Sequence, residues 1–128
     1  MSCQCFRPLY LLSDDPRALP LISSSDVFEL LANERRRYVI YEVRNIDHIG
    51  LEELATIVAA REKGVAVDDV SSEQAHHVAV SLHHHELPKL REARLINYDE
   101  RQRDIRSGSN FSLVEKYLDI AAEYDGID

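Results

Sequence analysis

Between Ser71 and Arg106 a long amphipathic helix runs straight into two short strands, and this stretch limits the possible folds more than any other part of the chain. Ser71-Ser72-Glu73 supplies an N-cap, with Glu or Gln within reach of a capping box. Ala75, Val78 and Leu82 fall on one helical face, and Leu87 and Leu90 continue the row. Pro88 has no N–H to donate and its ring crowds the carbonyl one turn back, so the sequence predicts a bend or break near Glu86–Leu87. Leu95–Asp99 then reads as a strand, Glu100–Gln102 as a turn and Arg103–Arg106 as a short returning strand.

Upstream, helical signals recur. Ser23-Ser24-Ser25 offers several N-cap candidates, Ser24 or Ser25 with Asp26 opens a first helix with Val27, Leu30 and Leu31 on one face, and Asn33 is a break or a second cap. From Glu34 a longer helix turns Val39, Ile40 and Val43 inward and Arg35, Arg36, Arg37, Glu42 and Arg44 outward, and Ile49 offers a short first strand. Residues 51–63 form a third helix that Lys63-Gly64 terminates, and Val65–Val70 reads as a loop. After a connector at 107–110, Ser112–Tyr124 closes the chain as an amphipathic helix with Leu113, Tyr117, Ile120 and Ala121 on one stripe. The class is therefore mainly α with a small β-hairpin. Three helices followed at once by a basic-tipped hairpin is the order of a winged helix-turn-helix, here with an added C-terminal helix. The domain spans 24–128, with a wing over about 95–106 and the C-terminal helix over about 112–124. Residues 1–23, interrupted by Pro8, Pro16 and Pro20, are expected to be a partly disordered tail.

Two segments resemble a known family. Asp26–Arg37 (DVFELLANERRR) resembles the opening helices of prokaryotic regulators of the ArsR-like winged-helix superfamily. Leu82–Tyr98 resembles the end of their recognition helix running into the wing, with Arg94 where that family commonly has glycine. The His-x-x-x-Pro spacing and an acidic, lysine-poor composition are similar to short haloarchaeal winged-helix proteins. The resemblance covers about residues 25–106 and implies a DNA-binding transcriptional regulator whose recognition helix, about 72–87, enters the major groove.

Charge opposes that expectation globally and permits it locally. The chain carries 23 acidic and 15 basic residues, net −8, whereas DNA binders usually carry a basic footprint. Within 87–106, however, six basic residues face four acidic ones. Lys63, Lys89 and Lys116 are the only lysines, a balance suited to solubility in concentrated salt. At 128 residues with 45% hydrophobic content the chain can bury one core. Cys3 and Cys5, one residue apart, suit neither a structural disulfide nor a zinc quartet, and a reduced cytoplasmic protein is expected. No apolar run reaches about eighteen residues, so no membrane span is expected. Phe6–Leu12, followed by Asp14, Asp15 and Pro16, does not make a signal peptide. Four glycines form no phosphate loop, and neither a nucleophile elbow nor His-Glu-x-x-His occurs, so no catalytic residue and no cofactor is assigned.

The candidate DNA contacts are Gln74, His77, Ser81 and His84, which recur at i, i+3, i+7 and i+10 opposite the apolar stripe of the fourth helix. Such short polar groups can bond base edges or phosphates, though the same face can equally be merely solvated. Arg101, Arg103 and Arg106 in the hairpin can clamp phosphates or enter the minor groove, and Lys89 can touch the backbone. Arg35, Arg36 and Arg37 can reach flanking phosphate, but pairing with Glu29, Glu34 or Asp47 is the favoured reading. Five of six histidines lie within 76–85, yet no two are three or four apart, so no metal is assigned to them. The expectation is sequence-specific double-stranded DNA binding by a homodimer that joins through Leu113, Tyr117 and Ile120 and reads two half-sites about one helical turn apart. Two alternatives stand beside it. One is a winged-helix protein-interaction module without DNA binding, favoured by the net charge. The other is a metal-responsive repressor using the histidine cluster, with Cys3 and Cys5 as further soft ligands.

Overall fold

The computed structural model describes residues 23–127, so the expected tail lies, but for Ser23, outside the described residues. Helix α1 (Ser24–Leu31) starts where the hydroxyl of Ser23, one of the three serines that offer a cap, accepts from the Asp26 N–H at 3.1 Å. Asn33 caps α2 (Glu34–Asn45), its Oδ1 accepting from the Arg36 N–H at 3.2 Å. Helix α3 (Leu51–Lys63) ends on Gly64 at φ +68°, where the Gly64 and Val65 N–H groups close back onto Arg61 and Ala60. A single 3-10 turn, Val67–Asp69, occupies the expected loop. Helix α4 (Ser72–Ser81) opens on a full capping box, with Ser71 Oγ accepting from Gln74 N–H and Gln74 Oε1 accepting from Ser71 N–H, each at 3.1 Å.

Pro88 does not break the chain's path. The helix widens into a π-helical turn over Leu82–Glu86, with Leu87 N–H donating to Leu82 O, and continues as α5 (Leu87–Glu92). One extra residue in a turn lets the helix pass an interior proline without stopping. Strands β1 (Ile49–Gly50), β2 (Ile96–Asp99) and β3 (Asp104–Ser107) form an antiparallel sheet in the order β1-β3-β2. Ile105 sits opposite both Ile49 and Tyr98, so the hairpin is tied to the start of α3 through the strand that Ile49 begins. Arg103, expected as the first residue of the returning strand, stands in the turn instead. Helix α6 (Phe111–Asp125) completes the order of a winged helix-turn-helix with an added C-terminal helix.

The core lies between α2, α3, the α4–α5 helix and the sheet, where Ile40, Leu54, Leu82, Leu90 and Ile105 are fully buried. On α6 the inward residues are Phe111, Val114, Leu118 and Ala122. Of the expected stripe, Tyr117 and Ala121 are half-buried against the core while Leu113 and Ile120 are exposed, and Tyr124 extends their row into solvent. Phe28 of α1 meets Tyr117 edge-on beside it, ring centroids 5.4 Å apart.

The three consecutive arginines fasten α2 to its neighbours. Arg35 makes a two-pronged pair with Glu62 at 2.6 and 2.7 Å. Arg36 donates to Leu30 O and Glu29 O at the end of α1 and to Glu86 at 3.3 Å. Arg37 donates to Leu31 O and to Asp125. Pairing prevails, as favoured, but the carboxylates are Glu62, Glu86 and Asp125 rather than Glu29, Glu34 and Asp47.

Candidate nucleic-acid interface

The helix formed by α4, the π-helical turn and α5 faces the core with Val78, Leu82, Leu87 and Leu90, and turns His76, His77, Val80, His84, His85 and Lys89 to solvent. From Gln74 to His85 it carries no carboxylate. The next residue, Glu86, is buried and points to Arg36, so its charge is spent inside the fold.

The candidate residues separate into groups. His77 and His84 are exposed, Ser81 is half-buried, and Lys89 is exposed at the proline end of the helix. Gln74 is half-buried and its amide oxygen is held by the Ser71 cap, so reading adenine with both amide atoms requires it to leave the cap. In the wing turn the Arg101 and Gln102 N–H groups both donate to Asp99 Oδ1, at 3.0 and 3.2 Å, which fixes the tip. Arg101 itself is exposed, and among the described residues no carboxylate pairs with it. Arg103 takes a left-handed backbone, φ +55°, and folds back so that Nη2 meets Glu52 Oε2 at 2.7 Å. Arg106 pairs with Asp104 at 3.1 Å, and the same carboxylate meets His48 Nδ1 at 2.9 Å. Desolvation pushes the Asp104 carboxyl up, but the bonds from Arg106 and His48 outweigh it and hold it below the usual range.

A concavity of about 540 Å³ lies between α3, the exposed side of α4 and the wing. Glu52 and Thr56 form one wall, Ser72, His76, Val80, His83 and His84 the other, and Arg103 the rim. It brings His84 and Arg103 together and leaves Gln74, His77, Ser81, Lys89, Arg101 and Arg106 outside its lining. The DNA-contact face read from sequence did not include Ser72, His76, Val80 and His83, whose i, i+4, i+8, i+11 spacing marks a neighbouring face of the same helix. His83 is fixed there by its Nδ1, 2.8 Å from the Tyr98 hydroxyl on β2. Burial, ahead of the nearby charges, raises the Tyr98 phenol above its ordinary value.

Among the described residues no three His, Cys, Asp or Glu side chains are grouped to hold a metal ion, and Cys3 and Cys5 lie outside those residues. Likewise no helix there is long and apolar enough to cross a membrane. A family model described as "Domain of unknown function (DUF7344)" matches residues 28–106, from α1 to the wing. No curated protein and no solved structure matches.

Proposed function

Since the chain belongs to the family of the domain of unknown function DUF7344, a membership that names no activity, we propose its role from the interface: a transcriptional regulator that binds double-stranded DNA sequence-specifically as a homodimer. It acts in the cytoplasm without catalysis. One observation carries this reading. In a chain with 23 acidic residues, the solvent face of the helix that a winged helix-turn-helix sends into the major groove has none from Gln74 to His85. Beside it stand the wing arginines. His84 and its neighbours His76 and Val80 then face base edges, while Arg101, Arg103, Arg106 and Lys89 meet phosphates. The exposed row of Leu113, Ile120 and Tyr124 on α6 suits the contact between two copies.

The test is a pull-down of genomic fragments followed by fluorescence-anisotropy titration of the recovered duplex at several salt concentrations. Affinity should fall linearly on a log–log plot of binding constant against salt. Arg101→Ala should weaken every duplex by a similar factor, about 5-fold, while His84→Ala should narrow the gap between recovered and scrambled duplexes, with each lost base contact removing about 1–3 kcal/mol. If both variants keep wild-type affinity for every duplex, this face is not the interface.

A second reading, a protein-interaction module, draws on one feature. Arg91, Arg103 and Arg106 are already paired with Glu100, Glu52 and Asp104. A protein that retains no duplex even at low salt would favour it.

A further inference from the structure

We propose that Glu52 is a built-in stand-in for DNA phosphate on the wing arginine Arg103, and that it sets the affinity and salt response of the interface; this rests on the DNA-binding reading above. Arg103 is anchored by its backbone. Its carbonyl accepts the Leu51 N–H at 2.9 Å, and the residues on either side of that contact, Gly50 and Asp104, are paired across the sheet. The left-handed φ of +55° directs the side chain back over α3, where Nη2 reaches Glu52 Oε2 at 2.7 Å. A carboxylate and a phosphate offer a guanidinium the same kind of anionic oxygens. Glu52 therefore occupies the position at the rim of the concavity where the wing would grip a DNA backbone. A phosphate arriving there must displace Glu52 from Arg103 and remain beside its negative charge. The pair is open to solvent, with 49% of the arginine side chain and 69% of the glutamate exposed, so it adds little to fold stability and can be removed without unfolding the domain.

Glu53 is the internal control. It is exposed on the same helical turn, and among the described residues no basic group pairs with it. Removing either carboxylate lowers the general repulsion of DNA, but only Glu52 competes for Arg103.

The experiment measures anisotropy of a short random-sequence fluorescent duplex across a salt series for wild type, E52Q, E53Q, R103Q and the E52Q/R103Q double variant, with circular dichroism as the check on folding. E52Q should bind about 10-fold tighter than wild type, and its log–log salt slope should steepen by about 0.9, the signature of one more phosphate contact. E53Q should gain less and keep the wild-type slope. In the R103Q background the gain from E52Q should shrink to that of E53Q. Equal gains for E52Q and E53Q, or a gain from E52Q that is undiminished in R103Q, overturns the competition. Wild-type binding that E52Q leaves unchanged overturns the competition alone. Absence of binding by both wild type and E52Q at low salt overturns the DNA-binding reading and the inference with it. Binding that appears only in E52Q supports both.

Discussion

Two arginines hold backbone conformations that L-residues with a Cβ rarely adopt, Arg94 at φ +64° and Arg103 at φ +55°. Arg94 ends α5 in a Schellman arrangement: its N–H donates to Arg91 O, and the Leu95 N–H reaches Leu90 O at 3.0 Å. A glycine adopts this conformation without strain. Arg94→Gly should stabilise the domain by about 1 kcal/mol, which raises the melting temperature by about 4 °C in a calorimetric scan. A lower melting temperature would mean that the arginine side chain makes a compensating contact. Arg103 tests function with the same substitution. Arg103→Gly relieves the wing backbone yet removes the guanidinium, so thermal stability should hold or rise while DNA affinity falls about 5-fold. A fall in both would make Arg103 a structural residue only. Gly108 is the converse case. A Cβ there would come within 2.5 Å of the Arg94 carbonyl oxygen and 2.9 Å of the Ile96 nitrogen, both backbone atoms unable to move aside. Gly108→Ala should therefore cost about 2 kcal/mol, measured by urea denaturation.

Elements join through charges placed far apart in the chain, and the α2–α6 joint has a defined pH response. Asp125 accepts from Arg37 Nε at 2.8 Å and from the Tyr41 hydroxyl at 2.7 Å, and the Arg37 bond is the main reason its carboxyl is held below the ordinary range. On the other partner, burial, then the bond to Asp125, raises the Tyr41 phenol. A carboxyl depressed in the folded state stabilises above its unfolded value, about 3.9, and loses that contribution as pH falls through the folded value. Asp125→Asn should thus cost about 2 kcal/mol at pH 7 by thermal denaturation, and its deficit relative to wild type should close below about pH 4. A deficit that persists unchanged at low pH would assign the loss to packing. The helix ends were readable because capping is local: Asn33, Gly64 and the Ser71–Gln74 box each act within a few residues. The π-helical turn was not. Pro88 marked a disturbance, but whether a helix breaks or widens there depends on Leu82, Leu87 and Leu90 all staying buried in a core made by other elements. The face that α6 buries was not readable for a similar reason. The helix has two apolar rows, and only the packing of α2 against it selects Val114, Leu118 and Ala122 over Leu113, Ile120 and Tyr124.

Across the whole molecule, composition could locate the proposed interface only coarsely. The six basic residues of 87–106 mark the wing end of the molecule, but their pairing is decided by the fold: Arg91 and Arg106 meet Glu100 and Asp104 of the same segment, whereas Arg103 meets Glu52, far away in sequence. The histidine face read from helical spacing differs by about one residue's rotation from the face that α3 and the wing enclose, because spacing fixes relative angle and not the direction of neighbouring elements. The exposed row on α6 raises the corresponding question of association. Ile120 is 60% and Tyr124 88% exposed, and Phe28 of α1, also exposed, lies on the same side through its contact with Tyr117. Apolar surface concentrated at one end of a chain with net charge −8 favours a self-complementary contact, one that water covers poorly and screening salt strengthens. Ile120→Asp places a like charge on both sides of a two-fold contact while leaving the core untouched, so the melting temperature of the isolated domain should change little. Light scattering should show wild type at twice the chain mass and Ile120→Asp at the monomer mass. On DNA, the variant should keep wild-type affinity for a duplex with one half-site and lose at least about 10-fold on a duplex carrying two half-sites one helical turn apart, since the second site no longer acts at high effective concentration. A variant that remains dimeric would remove α6 as the contact, and a dimeric wild type that gains nothing from the second half-site would separate self-association from DNA reading.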